Sequence, residues 1–319
     1  MSRLTAPITM FPSYLPICAV HRVECNSDSQ SLLAELIDCL AARGIRARVL
    51  DEPWPVEDEA CRQRVARAAI AVDLVFVAGR RLAATAELLV CGDGEKAESV
   101  PAEPLRPRFY CTGRQQVAVC CDVLEGWLDR CSGLTPVWGC VLIGGRSSRM
   151  GRPKHLLPAS DGRTWLEHAV ERVRPFVDEC VVSGGGAMPE ACRNLTRITD
   201  LPGVAGPLAG IGAALHYRAW TSWLVVACDM PDASAPAISW LLEQRRPGAI
   251  AVIPFNPLSG RSEPLFAWYD FRCAPLLDQL LADGILRISK LRGRPGVHQP
   301  QIPADLCGAW RNVNRAEDL

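Results

Sequence analysis

The stretch Leu142-Ile-Gly-Gly-Arg-Ser-Ser-Arg-Met-Gly-Arg-Pro-Lys154 decides how the rest of this chain is interpreted. It continues an apolar run, Val137 to Ile143, that predicts a buried strand, and a helical pattern begins after Thr164. Glycines at the end of a strand let the backbone come close to a ligand, because they carry no Cβ. Arg149 and Lys154 add two cations beside that backbone. The stretch therefore predicts a loop that holds the phosphates of a nucleoside triphosphate.

An ordinary solvated loop is the alternative interpretation, since a short glycine motif carries little information without its context. The spacing is not that of a Walker loop, Gly-x-x-x-x-Gly-Lys-Ser/Thr, and it is not the dinucleotide fingerprint Gly-x-Gly-x-x-Gly. The choice between the two interpretations depends on the residues downstream.

Length and charge restrict the classes of protein to consider. The chain has 319 residues, enough for two domains of ordinary size. Its 35 basic and 35 acidic residues cancel, so no overall field attracts nucleic acid or an anionic membrane, and we expect neither as a partner. No apolar run reaches the roughly 18 residues of a spanning helix, and Met1 to Tyr14 lacks the pattern of a signal peptide. A cytoplasmic protein is expected.

The 15 cysteines are scattered along the chain and form no Cys-x-x-Cys pair. Several, such as Cys140, Cys180 and Cys228, lie inside apolar runs, where cysteine packs as a small hydrophobic residue. An odd count argues against a disulfide framework. We expect core packing, with metal binding at the adjacent pair Cys120-Cys121 as the alternative.

Strand-like runs and amphipathic helices alternate throughout the chain, a pattern typical of an α/β protein. In the first half, strands are predicted at 16–23, 45–50 and 74–78, helices at 29–43 (ended by Gly44), 57–71 and 116–131, and a loop at 92–108. The segment Ser132-Gly-Leu-Thr-Pro136 breaks this pattern. We therefore predict two domains, 1–135 and 136–319.

The second half alternates in the same way and delivers two carboxylates to strand ends. Strands are predicted at 137–143, 177–183 and 196–199, helices at 164–174 and from Gly206-Pro-Leu-Ala-Gly-Ile-Gly-Ala-Ala-Leu215, and a further strand in Trp223-Leu-Val-Val-Ala-Cys-Asp-Met-Pro231. Ligands of open α/β sheets bind where strands end, so Asp229 is placed to hold a divalent metal that bridges triphosphate oxygens. The alternative for Asp229 is a helix N-cap. Asp200 has a similar setting, with a turn-forming role as its alternative.

Four blocks of the second half together resemble the molybdenum cofactor guanylyltransferases, the MobA family of the nucleotidyltransferase fold. The blocks are the opening stretch with Pro153-Lys154, Gly206-Pro-Leu-Ala-Gly-Ile211, Ala227-Cys-Asp-Met-Pro231, and Asn312-Val-Asn314 with Glu317-Asp-Leu319. They are collinear over residues 137 to 319. The resemblance implies a Rossmann-like three-layer α/β domain with a mostly parallel sheet.

The resemblance also implies a role for each matching residue. The backbones of Leu142, Ile143, Gly144 and Gly145 would line the guanine nucleotide, and Lys154 would bind phosphate. Asp200 would touch the nucleotide, and Asp229 would bind both nucleotide and Mg²⁺. Asn312 and Asn314 would lie on the pterin side. The family usually has alanine where this chain has Ile143, a change that keeps the backbone but crowds it. It usually has asparagine where this chain has Ser183, and serine can still form a hydrogen bond but reaches less far.

The residues can support the implied chemistry. A phosphate on molybdopterin would attack the α-phosphorus of GTP and expel pyrophosphate, and an ionised phosphate needs no strong base. Arg149, Lys154 and Mg²⁺ on Asp229 would offset the gathered negative charge. Gly144-Gly145 and the Gly-Pro-Leu-Ala-Gly block favour GTP over CTP, with a cytidylyl or sugar-phosphate nucleotidyltransferase as the alternative. His155 is interpreted as structural or incidental.

The first half resembles, more faintly, the MobB family of GTP-binding proteins in its strand 16–23 and in Asp73-Leu-Val-Phe-Val-Ala-Gly79. Where that family has a Walker loop, this chain has Val23-Glu-Cys-Asn-Ser-Asp-Ser-Gln30, and Ala78 replaces a carboxylate. The resemblance implies a smaller P-loop-like α/β domain that lacks the Walker motif and serves as a non-catalytic adaptor. Its partners would be the catalytic half, molybdoenzyme apoproteins or a cofactor chaperone. An unrelated α/β domain is the alternative.

Two hypotheses from different classes follow. The first is a magnesium-dependent guanylyltransferase that acts on molybdopterin. The second is a non-catalytic carrier or assembly protein of the molybdenum cofactor, which the missing Walker loop, Ile143 and Ser183 would suit. Lys154 and Asp229 favour the enzyme, because their charges serve no evident purpose in the fold.

Overall fold

Buried strands and helices alternate along the chain in the computed structural model, as the sequence predicts. The structure describes residues 11–12, 14–22, 27–50, 59–78, 85–91, 107–144 and 153–313. Two compact units result: Met1–Thr135 with Arg246–Gly248, and Pro136–Arg245 with Ala249–Leu319.

The described residues of the first unit form five strands and three helices. In chain order they are β1 (Ile17–Arg22), α1 (Ser27–Ala42), β2 (Ala47–Leu50), α2 (Glu59–Ala71), β3 (Leu74–Ala78), β4 (Ala86–Cys91), β5 (Arg108–Thr112) and α3 (Val117–Leu134). The strands form one sheet in the order β2-β3-β1-β4-β5, and every neighbouring pair is parallel. Its strands are rich in apolar residues, as expected of a parallel sheet that is buried on both faces.

Helix α1 lies on this sheet because its apolar residues recur at helical spacing. Leu32, Leu36 and Leu40 are buried in one cluster with Leu124 of α3 and with strand residues such as Phe76. Gly44, which has a φ of +79°, ends the helix as predicted. The Ile45 N–H donates to the Leu40 carbonyl at 2.9 Å, which satisfies one of the last helical carbonyls.

Two boundaries of the first unit differ from the sequence analysis. Helix α3 continues through the predicted break at 132–136, because Gly133 is tolerated in the helix and the chain leaves it only at Thr135, before Pro136. Strand β4 is not predicted, and β5 begins at Arg108 within the predicted loop 92–108, of which residues 92–106 lie outside the described residues.

The second unit is built on a mixed sheet of seven strands. Its elements are β6 (Val137–Leu142), α4 (Trp165–Val173), β7 (Glu179–Ser183), β8 (Thr196–Ile198), α5 (Pro207–Tyr217), β9 (Ser222–Ala227), α6 (Ala235–Glu243), β10 (Ala251–Val252), β11 (Phe255–Asn256), β12 (Arg261–Ser262), β13 (Phe266–Tyr269), α7 (Ala274–Ala282) and β14 (Val297–His298). The sheet order is β14-β10-β13-β9-β6-β7-β8, and only β13 runs antiparallel to its neighbours. Strands β11 and β12 form a separate hairpin.

Helices cover both faces of the seven-stranded sheet. Leu224 and Val226 of β9 pack on the face covered by α4 and α6, whereas Trp223 and Val225 pack on the face covered by α5 and α7. This alternation explains why every residue of β9 is buried. The predicted three-layer α/β architecture with a mostly parallel sheet is confirmed.

Helix α4 begins where the sequence predicts, because Thr164 caps it. The Thr164 hydroxyl accepts from the Glu167 N–H, and the Glu167 carboxylate accepts from the Thr164 N–H at 2.7 Å. Helix α5 is almost wholly buried but has only 11 residues. Within the described ranges, no helix combines the length and the apolar character that a membrane span requires.

Core packing of the cysteines is confirmed. The 13 cysteines whose state the structure describes are all free, and all of them except Cys39 are buried. Burial raises the pKa of the Cys140 and Cys228 thiols, the latter to about 12. These thiols therefore stay protonated at neutral pH and act as apolar groups.

Candidate functional site

Four parallel strands of the second unit end together, and this edge of the sheet is called the site edge below. The ladder pairs Leu142 of β6 with both Ser183 of β7 and Ala227 of β9, and it pairs Ser183 with Ile198 of β8. Asp200 and Asp229 each follow two residues after one of these paired positions. The register therefore brings residues separated by more than 80 positions to one edge.

The backbone just beyond β6 is held on both sides. The Ile143 N–H donates to the Ser183 carbonyl at 2.8 Å, and the Leu142 carbonyl accepts from the Cys228 N–H at 3.0 Å. Gly184 packs directly on this segment, since a Cβ at Gly184 would lie only 1.8 Å from the Ile143 oxygen. A Cβ at Gly144 would meet no atom of the described residues within 4 Å. The backbone at Leu142 and Ile143 is thus held by its neighbours in the described part of the chain.

Ser183 and Asp200 form a hydrogen-bonded pair beside this backbone. The Ser183 hydroxyl, which is buried, donates to Asp200 Oδ1 at 3.0 Å. The Gly206-Pro-Leu-Ala-Gly block begins helix α5 against the pair: a Cβ at Gly210 would lie 2.8 Å from Leu142 Cδ2 and 3.1 Å from Ser183 Oγ. The absence of a side chain at Gly210 therefore lets α5 lie directly under the predicted nucleotide residues.

We predict that Ser183→Ala destabilises the second unit by about 1–2 kcal/mol, because the Asp200 carboxylate loses its buried donor. Urea denaturation of the two proteins would measure this change. Ser289→Ala, at a position away from this pair, is the control and is expected to change the unfolding free energy by less than about 0.5 kcal/mol. Equal effects of the two substitutions would show that the Ser183 hydroxyl has no special role.

Lys154 and Asp229 form the charged centre of the site edge. Lys154 Nζ donates to Asp229 Oδ2 at 2.9 Å and to the Val313 carbonyl at 3.0 Å, and the two charged side chains are only 16% and 17% exposed. The Val313 N–H donates to the Asp229 carbonyl at 2.9 Å. Three distant segments of the chain therefore meet at one ion pair.

The structure excludes the alternative interpretation of Asp229 as the N-cap of the next helix. Helix α6 begins at Ala235 with Ser234 as its N-cap residue, so Asp229 does not cap it. The Asp200 carboxylate accepts a hydrogen bond from the hydroxyl of Ser183, which lies on a neighbouring strand. Both carboxylates thus face the site edge.

The single carboxylate of Asp229 suits a metal ion that binds together with the phosphates of a substrate. Among the described residues, no group of three or more His, Cys, Asp and Glu side chains could hold a metal ion. Mg²⁺ keeps several waters and is usually bound through one or two carboxylates together with substrate phosphates. A single partly buried carboxylate at a strand end fits this mode of binding, and it does not fit a metal cage built from protein alone.

Three of the predicted site residues, Gly145, Arg149 and Asn314, lie outside the described residues. Leu142, Ile143, Gly144, Lys154, Ser183, Asp200 and Asp229 are brought together at the site edge by the contacts above. Asn312 is partly buried between Trp310 and Val313, and its Oδ1 atom is buried with no hydrogen-bond partner in the described part of the chain.

A glycine loop after β7 belongs to the same edge and is not predicted from the sequence. Arg197 donates to the carbonyls of Gly184 and Gly186, each at 2.8 Å. His155, which is 2% exposed, donates through Nε2 to the Ala187 carbonyl at 2.9 Å and leaves no room for a side chain at Gly186. The structural interpretation of His155 is correct, and the run of three glycines at a strand end is the signal that could have indicated this loop.

Comparisons with known proteins agree with this geometry. The family model described as the MobA-like NTP transferase domain matches residues 139–295. A probable molybdenum cofactor guanylyltransferase of Pelotomaculum thermopropionicum is 37% identical over 188 residues, which cover 57% of this chain and 89% of that protein. The probable molybdenum cofactor guanylyltransferase of Bacillus cereus (strain G9842) is 34% identical over 150 residues, covering 46% of this chain and 74% of that protein.

Solved structures are similar over the same fraction of the chain. The crystal structure of molybdopterin-guanine dinucleotide biosynthesis protein A from Archaeoglobus fulgidus has 27% sequence identity and a TM-score of 0.47. It covers 57% of this chain and 94% of that chain.

Proposed function

This chain belongs to the MobA-like NTP transferase family and is a nucleotidyltransferase, and from that premise we propose that it transfers GMP from GTP to molybdopterin with Mg²⁺. The products are pyrophosphate and a guanine dinucleotide form of the cofactor. The observation that carries the proposal is the ion pair between Lys154 and Asp229 at the end of β9. The names of its relatives, molybdenum cofactor guanylyltransferases, support the choice of GTP and molybdopterin.

The reaction needs alignment and charge neutralisation more than proton transfer. A phosphate oxygen of molybdopterin forms a new bond to the α-phosphorus of GTP, and the bond from that phosphorus to the β-phosphate oxygen breaks. Pyrophosphate leaves with the electron pair. The attacking phosphate is already ionised, so no strong general base is required.

The residues at the site edge have different roles in this proposed reaction. The fixed backbone at Leu142, Ile143 and Gly144 lies against the guanosine, and Asp200, oriented by Ser183, lies beside it. Lys154 is released by Asp229 to bind a phosphate oxygen and stabilises the charge that moves to the leaving group. Asp229 would hold Mg²⁺, which when bound neutralises charge on the triphosphate oxygens. Arg149, Gly145 and Asn314 keep the roles that the resemblance implies.

The first unit is proposed to be a non-catalytic adaptor that docks a molybdoenzyme apoprotein or a cofactor chaperone. Two buried carboxylates support the non-catalytic part of this proposal, because arginine side chains already donate hydrogen bonds to them. Asp73, 1% exposed, accepts from Arg46 at 3.0 Å, and Glu87, also 1% exposed, accepts from Arg108 at 2.9 Å. The Walker comparison stays a prediction, since residues 23–26 and Gly79 lie outside the described residues.

Pyrophosphate release tests the proposed function. The protein is incubated with molybdopterin, Mg²⁺ and each nucleoside triphosphate in turn, with EDTA replacing Mg²⁺ in a parallel series. We expect release with GTP, at least about 10-fold faster than with CTP, and none with EDTA. Release with CTP alone would overturn the choice of base. No release with any triphosphate would refute the enzymatic function and favour a carrier protein.

A further inference from the structure

The half of the sheet beyond β9 also reaches the site edge. Because β13 is antiparallel to β9, it starts where β9 ends: Phe266 pairs with Val226, and the Ala227 N–H donates to the Leu265 carbonyl at 2.8 Å. Glu263 lies two residues before Leu265. The chain segment that carries Glu263 therefore runs along the site edge on the far side of Asp229 from β6, β7 and β8.

The β11–β12 hairpin contacts the Glu263 side chain. Asn256, at the end of β11, is buried, and its Oδ1 accepts from the Leu258 and Ser259 N–H groups at 3.0 and 3.4 Å. The Ser259 hydroxyl donates to Glu263 Oε1 at 3.2 Å, and the Glu263 N–H donates to the Pro254 carbonyl at 2.8 Å. Both the backbone and the carboxylate of Glu263 are thus fixed by the β11–β12 hairpin.

The Glu263 carboxylate is half-buried, and within the described residues Ser259 is the one hydrogen-bond donor to it. Burial raises its pKa above the usual range, and the Ser259 hydrogen bond and the charge of Arg261 offset only part of that effect. A carboxylate has room for about four hydrogen bonds, and a partly desolvated one is stabilised by N–H donors from a ligand. The unpaired capacity of Glu263 therefore favours a ligand that presents N–H groups.

A second acceptor without a partner among the described residues is Asn312 Oδ1, close in sequence to Trp310. Trp310 stacks on Phe266 with ring centroids 4.5 Å apart, and its Nε1 donates to the Phe266 carbonyl at 2.9 Å. Asn312 follows between Trp310 and Val313, which bonds to Asp229, and its buried Oδ1 has no partner in the described part of the chain. Two hydrogen-bond acceptors with spare capacity thus belong to the segments around the start of β13.

We propose that Glu263 recognises the 2-amino-4-oxo edge of the pterin ring of the acceptor substrate through two parallel N–H to carboxylate hydrogen bonds. This inference rests on the proposed function and adds a specificity residue to it. The pterin amino group and its neighbouring ring N–H lie side by side and match a carboxylate in this way. Guanine presents the same pair of donors. The position of Glu263 beyond β9, away from the strands that carry Leu142, Ser183 and Asp200, assigns it to the acceptor.

Binding of two fluorescent probes tests the hydrogen-bond pattern without catalysis. Free pterin has the amino group, whereas lumazine has a carbonyl oxygen at the same position, which a carboxylate would repel. We expect the protein to bind pterin about 10- to 100-fold more tightly than lumazine. Glu263→Gln should reduce this ratio of affinities to within about 3-fold. Ser259→Ala removes the hydrogen bond that orients the Glu263 carboxylate, and it should reduce the ratio by a smaller factor. Glu243→Gln, an exposed glutamate of α6, is the matched control and should keep the ratio.

Steady-state kinetics of the full chain separates the acceptor from the nucleotide. Glu263→Gln should raise the KM for molybdopterin at least about 10-fold and leave the KM for GTP and the preference for GTP over ITP unchanged. Lost preference for GTP over ITP would show instead that Glu263 recognises guanine. Equal binding of pterin and lumazine by the unsubstituted protein, or an unchanged molybdopterin KM in the variant, would also overturn the inference. Failure of the proposed function is distinguishable, because it appears as no pyrophosphate release before any substitution.

Discussion

Asp229→Asn is expected to reduce pyrophosphate release at least about 1000-fold, because the substitution removes the carboxylate proposed to hold the metal against the triphosphate. Asparagine keeps the size of the side chain and an oxygen that can accept from Lys154, 2.9 Å away in the unsubstituted protein. The fold should therefore survive, and the loss should appear in kcat. The measurement is pyrophosphate release at saturating GTP and molybdopterin.

Nucleotide binding without metal provides the contrasting result. Removal of one negative charge beside Lys154 should leave the affinity for GTP in EDTA unchanged or increase it. Asp278→Asn is the control, since Asp278 is half exposed and pairs with His216 away from the site edge. A kcat for Asp229→Asn within about 10-fold of the unsubstituted value would contradict the metal role.

Gly184→Ala is expected to lower the free energy of unfolding by about 3–5 kcal/mol, a large effect for one methyl group. Two causes add. The Cβ would lie 1.8 Å from the Ile143 oxygen, which belongs to rigid backbone and cannot move aside as a flexible side chain can. The φ of +125° is also one that residues with a side chain rarely adopt. Urea denaturation measures the loss, and GTP binding should weaken because Ile143 must shift.

Gly162→Ala separates the two causes. Gly162 also has a positive φ, +85°, but a Cβ there would meet no atom within 4 Å. Its cost should be about 1 kcal/mol, from the backbone conformation alone. Similar losses in the two variants would mean that the close approach at Ile143 is relieved by a small movement, and that this backbone is not rigid.

The elements of the second unit up to β9 were predictable because their signals are local, whereas α6, α7 and the strands after β9 were not predicted. The all-apolar run of β9 and the Thr164 capping box depend on neighbouring residues only, so they appear in the sequence. Strand β13 could not be found in the same way, because its reversed direction is decided by pairing with β9 about 40 residues earlier. Strand β4 has six residues, but the buried Glu87 interrupts its apolar pattern, and this charge is explained only when Arg108 of β5 is placed beside it.

The residues of the candidate site could be proposed from the sequence where residue type alone is informative, whereas contacts that depend on shape could not. In the sequence, Asp229 and Lys154 are recognisable as charged residues beside apolar or glycine-rich segments. The contact between them, across 75 positions, is not visible there. The glycine loop after β7 depends on the approach of Gly184 to Ile143 and of Gly186 to His155, and such distances are not visible in a sequence. Glu263 was missed for the same reason, since only the antiparallel register of β13 brings it to the site edge.

The ion pair between Lys154 and Asp229 makes each of these residues the counter-ion of the other before any substrate is present. A ligand that brings only negative charge breaks the ion pair when it binds Lys154. Asp229 is then left without a counter-ion and faces the phosphates of the ligand. A ligand that brings a cation together with its phosphates gives each residue a new partner: the phosphate binds Lys154 and the cation binds Asp229. These two new interactions offset the loss of the ion pair. In the proposed function the pair would thus act as a filter on the ionic form of the nucleotide, favouring the metal complex over the bare triphosphate before any contact with the base is made.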